Sequence, residues 1–381
     1  MPTNQQRALL QLVREVSRRQ IAPRAQHHVP GDAFPAELFA LLAELDLLGL
    51  PFSSDDGGLG QPTTVVCQVL TELSQAFLAV GLGTWVHLLA TRIVADHASS
   101  SLRHEVLPQL ITGEWLAAHA LTVSTTASAA SRSMQVTRDG DGYVLNGALS
   151  DVAYAGQADC YVLLGRLSDR PGDGGTMLLV TADTAGLDCA LSGSDATIHG
   201  AAAGPLTCRD VRVPAHHRIG AEGDGGRIAA DAVDLAHLGV AACAVGLARA
   251  ALQVALTGVR ASGRDGPPAD GRSDVAGTIA DLAAAVEAAD ALCERAAAAD
   301  EAGRPVAALA AMARIVATRT AIEVTERTAD IHERAGSTGP GVVDRYRLEA
   351  AALHLVDGGD NAARRALVGE VVGDLDEDDE R

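Results

Sequence analysis

The residues that could carry chemistry are set apart by their surroundings. His237 lies alone in the apolar run LAHLGVAACAVG, and Asp357 stands before two glycines in VDGGD. A carboxylate or imidazole in such a setting can act as general acid or base once burial or a neighbouring charge tunes it. Both residues also fit quieter roles. A lone histidine on an apolar helix face is a satisfied core or interface residue, and Asp357 with its glycines can simply end a helix.

Several other chemistries are excluded. The sequence contains no lysine, so its 30 basic residues are all arginine and no Schiff-base or P-loop mechanism is available. The six cysteines (Cys67, Cys160, Cys189, Cys208, Cys243 and Cys293) are scattered singly, without C-x-x-C pairs. Reduced, mostly buried thiols are expected, and no metal site. Cys243, inside VAACAVGL, reads as core. The glycine-rich stretch Ser53 to Gly60 follows no strand, so it reads as a turn and not a dinucleotide loop.

The elements that must position these residues fall into three blocks. At roughly 100 to 200 residues per domain, 381 residues make two or three domains. Residues 1–118 carry apolar positions at three- and four-residue spacing and read as a helical domain. Residues 119–220 change to short β-rich runs (MQVTRD, CYVLLGRL, TMLLVTA) with DGDG and PGDGG turns, an antiparallel β-barrel or sandwich. Residues 221–370 return to Ala-rich helical segments at about 227–262, 273–302, 305–334 and 343–368, a four-helix bundle. The acidic tail 371–381 is expected to fray. The fold class is therefore α+β, mostly α.

The formal net charge of −19 opposes binding to nucleic acid or anionic membranes. No apolar run is expected to reach the roughly 18 to 20 residues of a membrane span, and the start has no signal-peptide pattern, so a cytoplasmic protein is expected. Long helices with wide apolar stripes point to a homo-oligomer, a homodimer or homotetramer.

This order of domains resembles the acyl-CoA dehydrogenase family, and motifs along nearly the whole chain carry the resemblance. TGEWLAAHALT (Thr112 to Thr122) sits where the family enters its β domain. DGDGYVLNG (Asp139 to Gly147) is similar to its first strand pair, and LTCRDVRVPAHHRIG (Leu206 to Gly220) to its exit from that domain. LAHLGVAACAVGLARAAL resembles the first bundle helix, and HERAGSTG with DRYRLEAAALHLVDGG the closing segments.

The resemblance implies FAD-dependent desaturation of an acyl thioester, with a carboxylate taking the α proton. Asp357 matches the family's catalytic glutamate in its E-G-T motif, one methylene shorter. Other members place the base on the first bundle helix just before an Arg, positions that here are Ala236 and His237, so the resemblance implies that His237 and Asp357 face one cleft as an acid/base pair. Thr122 and Ser128 match the substrate-side T-E-P-x-A-G-S-D motif and are expected at the substrate, although strand hydroxyls are also satisfied by nearby backbone.

On the flavin side the resemblance implies contacts from Thr122, Ala153, Tyr154, Arg260, Arg264 and Gly336. Many of these positions depart from the family. Asp151 and Ala153 replace the aromatic residue and hydroxyl beside the flavin ring, leaving Tyr154 as the nearby aromatic, and the R-x-x-F-G segment has no Phe here. All four phenylalanines (Phe34, Phe39, Phe52, Phe77) lie in the first block.

Three functions follow from this pattern. The one favoured by the losses is non-redox acid/base chemistry (dehydration, isomerisation or cyclisation) on an acyl thioester or polyketide-like intermediate, in specialised metabolism, with FAD binding weakened or lost. The second is FAD-dependent dehydrogenation of an acyl-CoA or acyl-carrier substrate. The third is a non-catalytic subunit paired with an intact paralogue.

Overall fold

The computed structural model describes residues 3–28, 34–121, 134–169, 174–189, 198, 200–201, 203–262, 269–334, 341–354, 356 and 359–378. The N-terminal block opens with α1 (Asn4–Val16), α2 (Ala22–His27) and α3 (Ala36–Glu44). The start of α1 is closed by a capping box: Thr3 Oγ1 accepts from the Gln6 amide at 3.2 Å, and Gln6 Oε1 accepts from the Thr3 amide at 2.8 Å. Then come α4 (Thr63–Ala76), α5 (Leu78–His97) and α6 (Ser100–Thr112).

The strands are β1 (Ala117–Ala120), β2 (Gln135–Asp139), β3 (Gly142–Ala153), β4 (Cys160–Leu167), β5 (Thr176–Thr181), β6 (Leu187–Cys189), β7 (Ala203–Pro214) and β8 (Arg218–Ile219). They form one sheet in the order β6-β7-β3-β2-β4-β5-β8, with β1 also paired to β4. The expected antiparallel domain is thus corrected to a mixed sheet, because β4 pairs in parallel with both β1 and β2. The central strand β4 is buried along nearly its whole length, which explains its unbroken apolar reading.

The C-terminal block contains α7 (Gly225–Ser262), α8 (Ala269–Glu301), α9 (Ala307–Arg334), α10 (Val342–Leu353) and α11 (Gly359–Asp378). The single fourth helix expected at 343–368 is two helices. Gly359 adopts φ +67°, and a Cβ there would lie 2.8 Å from the His354 carbonyl oxygen, so the break is built around a glycine. Helical backbone also continues to Asp378, into the tail expected to fray.

Two helices, α5 and most of α7, have the length and apolar composition of a membrane span, contrary to the expectation that none would. Their apolarity is spent inside the fold, with 89% and 78% of the 18-residue apolar stretch within each buried. Small residues let α7 lie close to its neighbours. A Cβ on Gly246 would sit 2.4 Å from the Thr71 carbonyl oxygen of α4, and Thr71 Oγ1 donates to the Ala242 carbonyl at 3.1 Å. That proximity fixes the position of α7, the helix that carries His237.

Candidate active site

A buried polar cluster forms where α7, α9 and the α10–α11 break meet. His237 comes from α7, Arg314 and Thr318 from one face of α9, and Asp360 from the first turn of α11. Burying a guanidinium among apolar helices requires a counter-charge and filled donors. Arg314 has a counter-charge, with Nε 3.8 Å from Asp360 Oδ1, and its Nη2 donates to the Val356 carbonyl. Asp360 also accepts from Thr318 Oγ1 at 3.0 Å and lies 3.1 Å from His354 Nδ1 and 3.5 Å from Arg364 Nη2. Its place in the first turn of α11 favours its negative charge further.

The remaining arm of Arg314 reaches His237, with Nη1 3.3 Å from Nδ1. A guanidinium only donates, so Nδ1 must present its lone pair and the ring proton belongs on Nε2. A doubly protonated ring would instead set two cationic donors against each other at that distance. The arrangement therefore specifies a neutral imidazole whose Nε2–H is a donor.

The sequence-predicted residues divide as follows. Asp357, Thr122, Ser128, Arg264 and Gly336 lie outside the described residues, as does the side chain of Arg260, whose backbone belongs to α7. His237 is at the cluster. The bond from Arg314 to Val356 brings that cluster to the residue immediately before Asp357.

Ala153 ends β3 and Tyr154 follows it. Tyr154 is buried with φ +59°, and its hydroxyl donates to the Ala79 carbonyl at 2.7 Å. Its ring packs edge-on against Phe34 (5.6 Å between centroids) and Phe39 (6.3 Å). The gap these rings share with Gly83 and His87 is about 10 Å³, room for about one water. Tyr154 thus ties the end of β3 to the N-terminal helices. Sequence reasoning missed Arg314, Thr318, His354 and Asp360. The available signal was the charge of Arg314 within AALAAMARIVA, since a charge inside an apolar run needs a reason.

Family models for the acyl-CoA dehydrogenase N-terminal domain and C-terminal domain match residues 3–114 and 223–372. The chain belongs to the acyl-CoA dehydrogenase family. Full-length relatives agree. The acryloyl-CoA reductase (NADH) of Anaerotignum propionicum is 28% identical, over 97% of this chain and 95% of its own. A short-chain specific acyl-CoA dehydrogenase of Clostridium acetobutylicum is 26% identical, over 97% and 98%. The solved butyryl-CoA dehydrogenase of Megasphaera elsdenii superposes with a TM-score of 0.90 at 25% identity, covering 98% of this chain and 99% of its own. The chain is accordingly an acyl-CoA dehydrogenase-like enzyme, of an oxidoreductase family.

FAD is the cofactor that acyl-CoA dehydrogenase membership brings. Of the residues expected at its ring, Ala153 has no hydroxyl to offer and Tyr154 is engaged with Ala79, Phe34 and Phe39. The Tyr154 ring is occupied by these contacts, and no step below is routed through a flavin.

Proposed function

We propose that this acyl-CoA dehydrogenase-like enzyme performs acid–base chemistry on an acyl thioester or polyketide-like intermediate, with FAD binding weakened or lost. The observation that carries this reading is the Arg314 Nη1 to His237 Nδ1 contact, which makes His237 a neutral donor beside the segment bearing Asp357. In the proposed reaction the Asp357 carboxylate removes the proton α to the thioester carbonyl. Nε2–H of His237 stabilises the oxygen as negative charge develops there, a task suited to a neutral imidazole. Return of the proton from Asp357 to the γ carbon of an unsaturated chain gives isomerisation, and its delivery to a departing β-hydroxyl, which leaves as water, gives dehydration. Thr122 and Ser128 position the thioester. The working unit in this reading is a homo-oligomer, with exposed Val316, Leu348 and Val368 on the bundle helices as apolar surface for it.

The test uses purified full-length protein and a panel of acyl-CoA thioesters in heavy water. Wild type should exchange an α proton for deuterium, read by mass spectrometry. Asp357→Asn should abolish exchange, and His237→Ala should slow it by about 100-fold or more, the scale of losing one transition-state donor. Equal exchange in wild type and both variants would overturn the assignment. A second reading, flavin-dependent dehydrogenation, is favoured by the full-length similarity to the reductase and the short-chain dehydrogenase. A yellow preparation that releases one equivalent of FAD on denaturation would establish it in place of the first.

A further inference from the structure

Outside the buried cluster, three metal-ligating side chains converge on the surface from parts of the chain far apart in sequence. Glu105 projects from α6. His216 and His217 sit in the single turn of 3₁₀ helix between β7 and β8. His216 Nε2 lies 3.6 Å from Glu105 Oε2, and His217 Nε2 lies 3.5 Å from Glu105 Oε1. The two imidazoles meet edge to face, 4.6 Å between centroids at 86°, so each aims its Nε2 at a different oxygen of the same carboxylate. All three ligand atoms fall within 4.8 Å of one another.

The two histidine–glutamate separations are close to a tetrahedral edge. Zinc–nitrogen and zinc–oxygen bonds of about 2.0 to 2.2 Å place neighbouring ligand atoms about 3.4 Å apart. A bound cation would draw the three ligand atoms inward from the 4.8 Å within which they now lie. Backbone contacts next to the site hold its two sides together. The Gly220 amide donates to the His97 carbonyl at 2.9 Å, and Ala98 forms a bridge with Ile219. One ligand is pinned, with the His217 side chain 14% exposed. The other two remain open to water, Glu105 at 47% and His216 at 51%.

We propose that Glu105, His216 and His217 form a three-ligand site for zinc, or a divalent cation of similar nitrogen and oxygen preference, with water completing the coordination. Bound metal would clamp α6 of the N-terminal block to the connection between β7 and β8. The site shares no residue with the buried cluster, so it stands or falls independently of the proposed reaction.

The experiment takes tag-free, chelator-treated full-length protein and adds zinc chloride under equilibrium dialysis, with thermal melts in parallel. One zinc per chain should bind, and Tm should rise with zinc concentration because the metal binds the folded chain preferentially. His216→Ala and His217→Ala should each weaken binding at least about 100-fold, beyond the roughly 10- to 100-fold cost of losing an outer-shell partner. They should also abolish the rise in Tm. Glu105→Gln keeps the shape of an exposed side chain, so its expected loss of zinc binding cannot be blamed on misfolding. Absence of zinc binding by wild type would overturn the site. So would equal stoichiometry and equal Tm shifts in wild type and Glu105→Gln.

Discussion

Arg314 Nη1 stands 3.3 Å from His237 Nδ1 with both side chains fully buried, a donor-only group facing a ring that can hold its proton on either nitrogen. The contact decides the tautomer. In ¹⁵N spectra of histidine-labelled protein, His237 should show an unprotonated Nδ1 and a protonated Nε2. Arg314→Met should remove that preference while leaving other histidine signals in place. A protonated Nδ1 in wild type would refute the assignment and the donor role built on it.

The partnership of Arg314 with Asp360 predicts strong non-additivity. Removing one member of a buried ion pair leaves the other charge uncompensated, at a cost of about 3 to 5 kcal/mol. Arg314→Met and Asp360→Asn should each approach that figure in urea unfolding. The double variant should cost less than their sum by about 1 to 3 kcal/mol, the range for residues in one network. Strict additivity would mean that the 3.8 Å approach contributes nothing to folding.

These two residues also mark what could and could not be read beforehand. The three-block order was legible because helix and strand periods differ, and because LTCRDVRVPAHHRIG marks the exit from the sheet. His237 was legible as a polar residue inside an apolar run. Its partner was not, because Arg314 and Asp360 are brought to it by the packing of three helices, which no local pattern encodes. The parallel pairings of β4 were hidden for the same reason: an apolar strand looks alike whichever way its neighbours run. The packing of Tyr154 was not legible either, because aromatic character says nothing about direction, and its ring turns toward Phe34 and Phe39. The Glu105 site was invisible since its ligands lie on α6 and beyond β7, and adjacent histidines alone do not specify a metal site.

His87 predicts a specific response to acid. It is buried, its Nε2 donating to the Leu110 carbonyl at 3.0 Å and its Nδ1 accepting from the Ala117 amide at 3.1 Å. Burial disfavours the charged ring and lowers its pKa from 6.5 to about 4. Above pH 6.5 the ring is neutral in folded and unfolded chains alike, and its hydrogen bonds contribute fully. Between 6.5 and 4 the unfolded chain takes up a proton that the folded chain refuses. Stability therefore falls with pH, by about 3 kcal/mol in all at about 1.4 kcal/mol per unit. His87→Gln should cost about 1 to 3 kcal/mol at pH 7 from poorer hydrogen bonding. The gap to wild type should narrow toward pH 4 in urea titrations, and parallel curves would contradict the assignment.

Gly239 holds α7 against α5, two residues from His237. A Cβ there would fall 2.1 Å from Trp85 Cε2 and 2.3 Å from its Nε1, inside the indole ring. Trp85 is buried, so it cannot swing into solvent to make room. Gly239→Ala must move the helix or the ring, and overpacking of this kind costs about 1 to 3 kcal/mol. Trp85→Leu alone should be destabilising through the cavity it leaves, whereas in the pair the new methyl partly fills that cavity. The Gly239→Ala, Trp85→Leu double variant should therefore lose less stability than the two single losses added together. Because the displacement begins beside His237, Gly239→Ala should also perturb the His237 ¹⁵N signals, and the second substitution should restore them. A Gly239→Ala protein with wild-type stability and unchanged signals would show that α7 does not depend on this contact for its placement.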